Sequence, residues 1–185
     1  FDNLSLLSNG TLTLGAGVDL TLVQSRHLAS RSIAQAADAE EGDRARLAAP
    51  HVRLAGTTRI GRDNHVMPYL AATAWGTQGR VDVLENTQLL VEAGVLDVLN
   101  KVEFGAYGLA QTSDASLVSR KGFEQLELRS QGDLRFLLHT VSDRTQLVTE
   151  GDLVLAASQI YPATGARAEV IAGRHQVQDL YGNYA

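Results

Sequence analysis

Along the chain, short stretches place an apolar residue at every second position. They are Leu12-Thr13-Leu14, Leu20-Thr21-Leu22, Val52-Arg53-Leu54, Val81-Asp82-Val83, Leu126-Glu127-Leu128, Leu134-Arg135-Phe136 and Leu153-Val154-Leu155. Successive side chains of an extended chain point to opposite faces, so this alternation predicts half-buried strands and not helices. Glycine followed by a small polar residue introduces several of them, as in Gly10-Thr11, Gly132-Asp133 and Gly151-Asp152. Glycine reaches turn conformations closed to other residues, and Asp or Thr can bond its own backbone, so each couplet reads as a turn feeding a strand.

The spacing of these units carries the architecture. Gly132 and Gly151, Leu134 and Leu153, and Phe136 and Leu155 are each 19 residues apart, while Val83, Phe104 and Leu126 follow one another at 21 and 22. A period near 20 predicts a solenoid in which each turn-plus-strand unit stacks on its successor, because one unit alone cannot bury its inward face. At that period the chain makes roughly eight or nine coils and, at a strand spacing of ~4.8 Å, a rod of roughly 40 Å. Two-residue hairpin signals are scarce, which favours parallel stacking over the competing arrangement, an antiparallel sandwich. An aromatic content of 5% points the same way, since a narrow interior is filled by Leu, Val, Ile and Ala.

Two stretches interrupt the pattern. Residues 29–49 shift to Ala, Asp, Glu and Arg with few bulky apolar side chains, and read as a solvated excursion with room for a short helix. Residues 61–79 hold Arg62-Asp63-Asn64-His65, Met67-Pro68-Tyr69 and the sole Trp75; Pro68 places this stretch on a loop or an edge.

Composition narrows the classes. With 185 residues and 44% hydrophobic content the chain can bury one sizeable core, so residues 1–185 read as a single segment. It begins Phe1-Asp2-Asn3, which reads as a piece of a longer polypeptide. A net charge of -5 gives no electrostatic footprint for nucleic acid or an anionic membrane, and no apolar run approaches the roughly 18 residues of a spanning helix. The absence of Cys rules out disulfides, thiolate metal sites and cysteine nucleophiles.

Candidate chemistry is sparse. Gly15-Ala16-Gly17 lacks the third glycine and the helix that a phosphate loop needs. His27, His51, His65, His139 and His175 are scattered; His51 with Asp63 and His65 is the one grouping that adjacent coils bring within reach of a metal, and surface loop positions are the simpler account. Asp82, Asp97, Glu103, Glu127, Asp133 and Asp152 alternate with inward residues or sit at turns. That predicts a solvated outer face in place of the paired carboxylates of a polysaccharide-cleaving solenoid. Arg53, Arg80, Arg129 and Arg135 then serve as outward partners for those acids. The expectation is therefore no catalytic residue, no cofactor, no metal and no enzymatic activity, with a polysaccharide-active enzyme as the alternative.

The C-terminal stretch Ala157-Ser158-Gln159-Ile160-Tyr161-Pro162-Ala163-Thr164-Gly165 is more distinctive. Pro162 and Gly165 end a strand in a turn, and Tyr161 covers a coil edge. Together with Leu47 to Gly56, Leu90 to Val98 and Ser130 to Phe136, it resembles the C-terminal region of filamentous-haemagglutinin-type exoproteins, adhesins exported by two-partner secretion. The resemblance covers roughly residues 45–173; the first 44 match only in their Gly-x-Leu-x-Leu style. It implies a right-handed parallel β-helix in a long fibre, secreted or at the bacterial cell surface. It also implies an outer-membrane two-partner-secretion transporter as partner during export and a cell-surface receptor or glycan as adhesive partner. The stick of a contact-dependent toxin-delivery exoprotein is the alternative role within the family.

Overall fold

The computed structural model describes residues 2–8, 11–30, 32–36, 38–56, 59–60, 66–67, 81–105, 120–138 and 144–173. These residues form strands and turns with no helix. The chain opens with β1 (Asn3–Leu7), β2 (Thr11–Leu14), β3 (Asp19–Thr21), β4 (Ser25–Ser30), β5 (Ser32–Gln35) and the long β6 (Arg44–Gly56). A short antiparallel pair, β7 (Arg59–Ile60) and β8 (Val66–Met67), precedes β9 (Val81–Leu99), β10 (Lys101–Phe104) and β11 (Arg120–Ser130). The remainder is β12 (Asp133–Leu137), β13 (Arg144–Thr149), β14 (Asp152–Ala156), β15 (Gln159–Pro162) and β16 (Arg167–Ile171).

Apart from β7 and β8, every described pairing is parallel, in sheets of nine and five strands. This decides against the antiparallel sandwich. The nine-stranded sheet presents two rows, because β6 and β9 each turn a corner and serve both. Row one is β1, β4, the second half of β6, the second half of β9, β12 and β15. Row three is β3, the first half of β6, the first half of β9, β11 and β14. Row two is the five-stranded sheet, β2, β5, β10, β13 and β16. In chain order β1, β2 and β3 fall in rows one, two and three, and β4, β5 and the start of β6 repeat that order.

Alternation inside each strand decides what lies between the rows. Row one sends inward Leu28, Leu54, Val98 and Phe136 on successive strands, row two Ile33 and Phe104, and row three Leu47, Val91 and Leu128. These residues belong to one buried cluster, and each fully buried side chain of this size contributes about 1.5–3 kcal/mol. Corners are built for close approach. A Cβ on Gly94 would stand 2.6 Å from the Pro50 carbonyl oxygen one strand away, and Asn100 turns the chain from row one to row two at φ 60, a left-handed conformation that asparagine tolerates.

Three expectations are corrected here. The described residues of 29–49 hold no helix, and solvent exposure is confined largely to the turn at 38–44: Ile33, Ala34, Ala39, Ala45, Leu47, Ala48 and Ala49 are buried, and β5 and β6 run through the stretch. Small Ala side chains suit strand positions facing a tightly packed interior, so low bulk on either side of that turn signalled close packing. The 19-residue echo does not stack a unit on its successor either. Leu134 lies in row one opposite Leu96 and Ile160, whereas Leu153 lies in row three opposite Leu126; the echo links adjacent rows. Finally, among the described residues row one has six strands, stepping from Asn3 to Ser25 to His51 to Val95 and from Leu96 to Leu134, then Asp133 to Gln159, which are steps of 22, 26, 44, 38 and 26 residues. Six strands at ~4.8 Å span roughly 24 Å of the expected 40 Å within the described residues. The interruption at 61–79, apart from Val66 and Met67, lies outside the described residues.

Candidate functional site: a charged outer column and a corner groove

The outward residue between each inward pair of row one falls in a single column. Ser5, His27, Arg53, Asp97, Arg135 and Tyr161 lie opposite one another on six successive strands. Each arises the same way: in Arg26-His27-Leu28, Val52-Arg53-Leu54, Leu96-Asp97-Val98 and Leu134-Arg135-Phe136 the middle residue must point away from the core. Parallel in-register pairing then places those middle residues side by side.

Asp97 is the hub. Although it points out of the core, its side chain is 0% exposed, because neighbours on both flanking strands fold over it. Arg135 donates from Nε to Oδ1 at 2.8 Å and from Nη2 to Oδ2 at 3.1 Å, a two-pronged contact that fixes the carboxylate plane. His51 Nε2 lies 2.8 Å from Oδ2, and Arg53 Nη2 stands 3.7 Å from the same oxygen. Burial is the largest influence on Asp97 and alone would raise its pKa, but the bonds from Arg135 and His51 together outweigh it and hold the group below the usual carboxylate value. The same contact raises the Arg135 pKa. His27 has the opposite surroundings: burial first, then the charges of Arg53 and His51, lower its pKa. At the last strand, the Tyr161 hydroxyl donates to Asp133 Oδ2 at 2.8 Å, and that bond leads the causes that raise the tyrosine pKa.

A second feature follows the corner where row three passes into row one. Ala49, Pro50, Ala93, Gly94, Gln131 and Ala157 line an open groove of about 770 Å³. Small residues recur there because neighbouring strands approach closely at the corner, and the missing side-chain volume leaves the groove. On its row-three side Arg46 donates to Glu92 at 2.7 Å and reaches Asp19 at 3.2 Å, while Arg129 meets Glu127 at 2.6 Å.

The structure brings some expected residues together and separates others. His51 joins Asp97, while its expected companions Asp63 and His65 lie outside the described residues, as do His139 and His175. Among the described residues no three His, Asp or Glu side chains gather as a metal would require. Arg53 and Arg135 pair with Asp97 and Arg129 with Glu127, as outward partners; Arg80 lies outside the described residues. The carboxylates depart from expectation. Asp97, Glu103 and Glu127 are buried instead of solvated, with Lys101 closing over Glu103, whereas Asp152 is exposed and Asp133 half-buried. The Asp82 side chain lies outside the described set. Arg26, which alternation gave no reason to single out, points into the core. Its signal was the phase of its strand, since Leu28 two residues on is inward. No family model, no curated protein and no solved structure matches this chain.

Proposed function

We propose that the chain is a right-handed parallel β-helix segment from the shaft of a filamentous-haemagglutinin-type surface protein, and that its job is to set distance and present an adhesive surface. The observation that carries this reading is the recurrence of rows one, two and three in chain order, with in-register parallel pairing at each return. Such a body transmits length along one axis, and its stability comes from neighbour-to-neighbour contacts. The segment is exported by a two-partner-secretion transporter and works outside the bacterium, where a receptor or glycan on another cell meets its outer face. Glu92, the single carboxylate lining the corner groove among the described residues, is engaged by Arg46, which fits charge packing better than the free acid and base of glycoside hydrolysis.

The winding is tested by excising one repeat. Asp133 lies opposite Gln159, so deleting residues 133–158 removes one full return to row one and sets β15 where β12 stood. The shortened protein is expected to keep a β-type circular dichroism spectrum and a cooperative melt, and to shorten in solution scattering by one strand spacing, ~4.8 Å. Deleting only 133–145 is expected to abolish the cooperative melt, because it returns the chain out of phase. Collapse of both variants alike would refute the winding. Adhesion is read separately by coating beads with the purified chain: attachment to epithelial cells no greater than that of albumin-coated beads removes the adhesive part and leaves the spacing part.

A further inference from the structure

One inward column of row one runs Leu4, Arg26, Val52, Leu96, Leu134 and Ile160 on successive strands. Five of the six are aliphatic. Arg26 is 1% exposed, so its side chain is as enclosed as Leu96 and Leu134. Its Nη2 donates to the Leu20 carbonyl at 2.9 Å, across the interior to row three, but Nε and Nη1 are buried and meet no acceptor among the described residues. Asp19 acts on it through space only, and the Asp19 carboxylate is 61% exposed and bonded to Arg46. Arg53 also has a buried Nε without an acceptor, yet that side chain is 40% exposed and has Asp97 near its other end. Arg26 has no such relief.

A guanidinium does not lose its proton in a protein, so the positive charge stays in the apolar interior and calls for a counter-charge. One neutral carbonyl supplies a hydrogen bond but no charge. We propose that Arg26 is an internal anion site that takes a small inorganic anion of the halide class, chloride in practice. Chemistry selects the class. The flanking column positions, Leu4 and Val52, offer no side-chain donors. A sulfate or phosphate would leave several of its own oxygens unpaired there, whereas a monatomic anion is satisfied by the Nε and Nη1 protons. The anion would sit against the guanidinium that joins β4 to β3.

Thermal melts of the intact chain in sodium chloride and in sodium isethionate at equal ionic strength test the site. The wild type is expected to melt higher in chloride, with a gain of about 3–5 °C for each tenfold rise in chloride once the site is more than half filled. Arg26→Leu, which restores the aliphatic column, is expected to melt at the same temperature in both salts. Crystals grown in sodium bromide provide a check that needs no variant: an anomalous peak within hydrogen-bond distance of the Arg26 side chain is expected. Equal melting of the wild type in chloride and isethionate overturns the proposal. So does a chloride gain that survives in Arg26→Leu, or a bromide map with no peak at Arg26.

Discussion

Two adjoining columns of row one show two treatments of buried charge. On the outer side of row one, Asp97 is 0% exposed and is met by Arg135, His51 and Arg53; on the inner side, Arg26 is 1% exposed and is met by one backbone carbonyl. The outer column answers charge with charge on adjacent strands, so burial there is compensated by three partners that keep part of their own surface in water. The inner column has only aliphatic neighbours to offer. Burial is therefore not the quantity that separates the two; the chemistry one strand spacing away is.

The comparison is broken most severely by moving a charge into the middle of the inner column. Leu134→Asp would bury a carboxylate between Leu96 and Ile160, and urea denaturation is expected to show a loss of more than about 4 kcal/mol or no folded state. Ile160→Asp, one strand further along, is the control: Ile160 is 46% exposed, so a loss within about 1 kcal/mol is expected. Equal losses at the two positions would mean that depth in the column does not set the penalty.

Next in size is removal of the outer hub. Asp97→Ala strands Arg135 and His51 without their shared acceptor and is expected to cost about 2–3 kcal/mol in the same assay, less than a fully enclosed pair would because the partners are partly solvated. A loss under about 0.5 kcal/mol would show that solvent serves the arginines equally well.

The smallest effect is that of pH. The fold lowers the His27 pKa, so it favours the neutral ring; its contribution is intact above the ordinary imidazole value near 6.5 and is lost as pH falls from there through the lowered folded value. Asp97, also lowered, favours its charged form, and its contribution is lost only below the ordinary carboxylate value near 3.9. Melting followed from pH 8 to 3 is expected to fall in two stages, and His27→Gln to remove the upper one. An unchanged upper stage in His27→Gln would assign it to another group.

Much of the strand layout was readable because alternation is a local property: the triplets around Arg53, Leu126, Arg135 and Leu153 needed no knowledge of their neighbours. Register was not readable. Arg53, Asp97 and Arg135 sit in matching triplets, yet they are separated by 44 and 38 residues where the first return to row one takes 22, and no local pattern states which triplets will meet. The buried hub at Asp97 was lost for that reason, since a charge between Leu96 and Val98 looks solvated until its cover is placed. Arg26 was hidden by its polar company, Ser25 and His27, which masked the phase that sends it inward. The stretch 29–49 was misjudged because Ala45 and Ala49 fill the interior with little bulk.

Unequal returns along row one also govern how the molecule yields to force. Because each strand holds on only to the strands before and after it, tension at either terminus loads a single hydrogen-bonded ladder at a time and peels the stack from that end. Slack released at each rupture is set by the number of residues in that return, so a pulling trace should show short steps near both ends and its longest extensions in the centre, where 44 and 38 residues are paid out. The two longest returns thus place the largest expected releases of chain at the middle of the described rows, away from both ends.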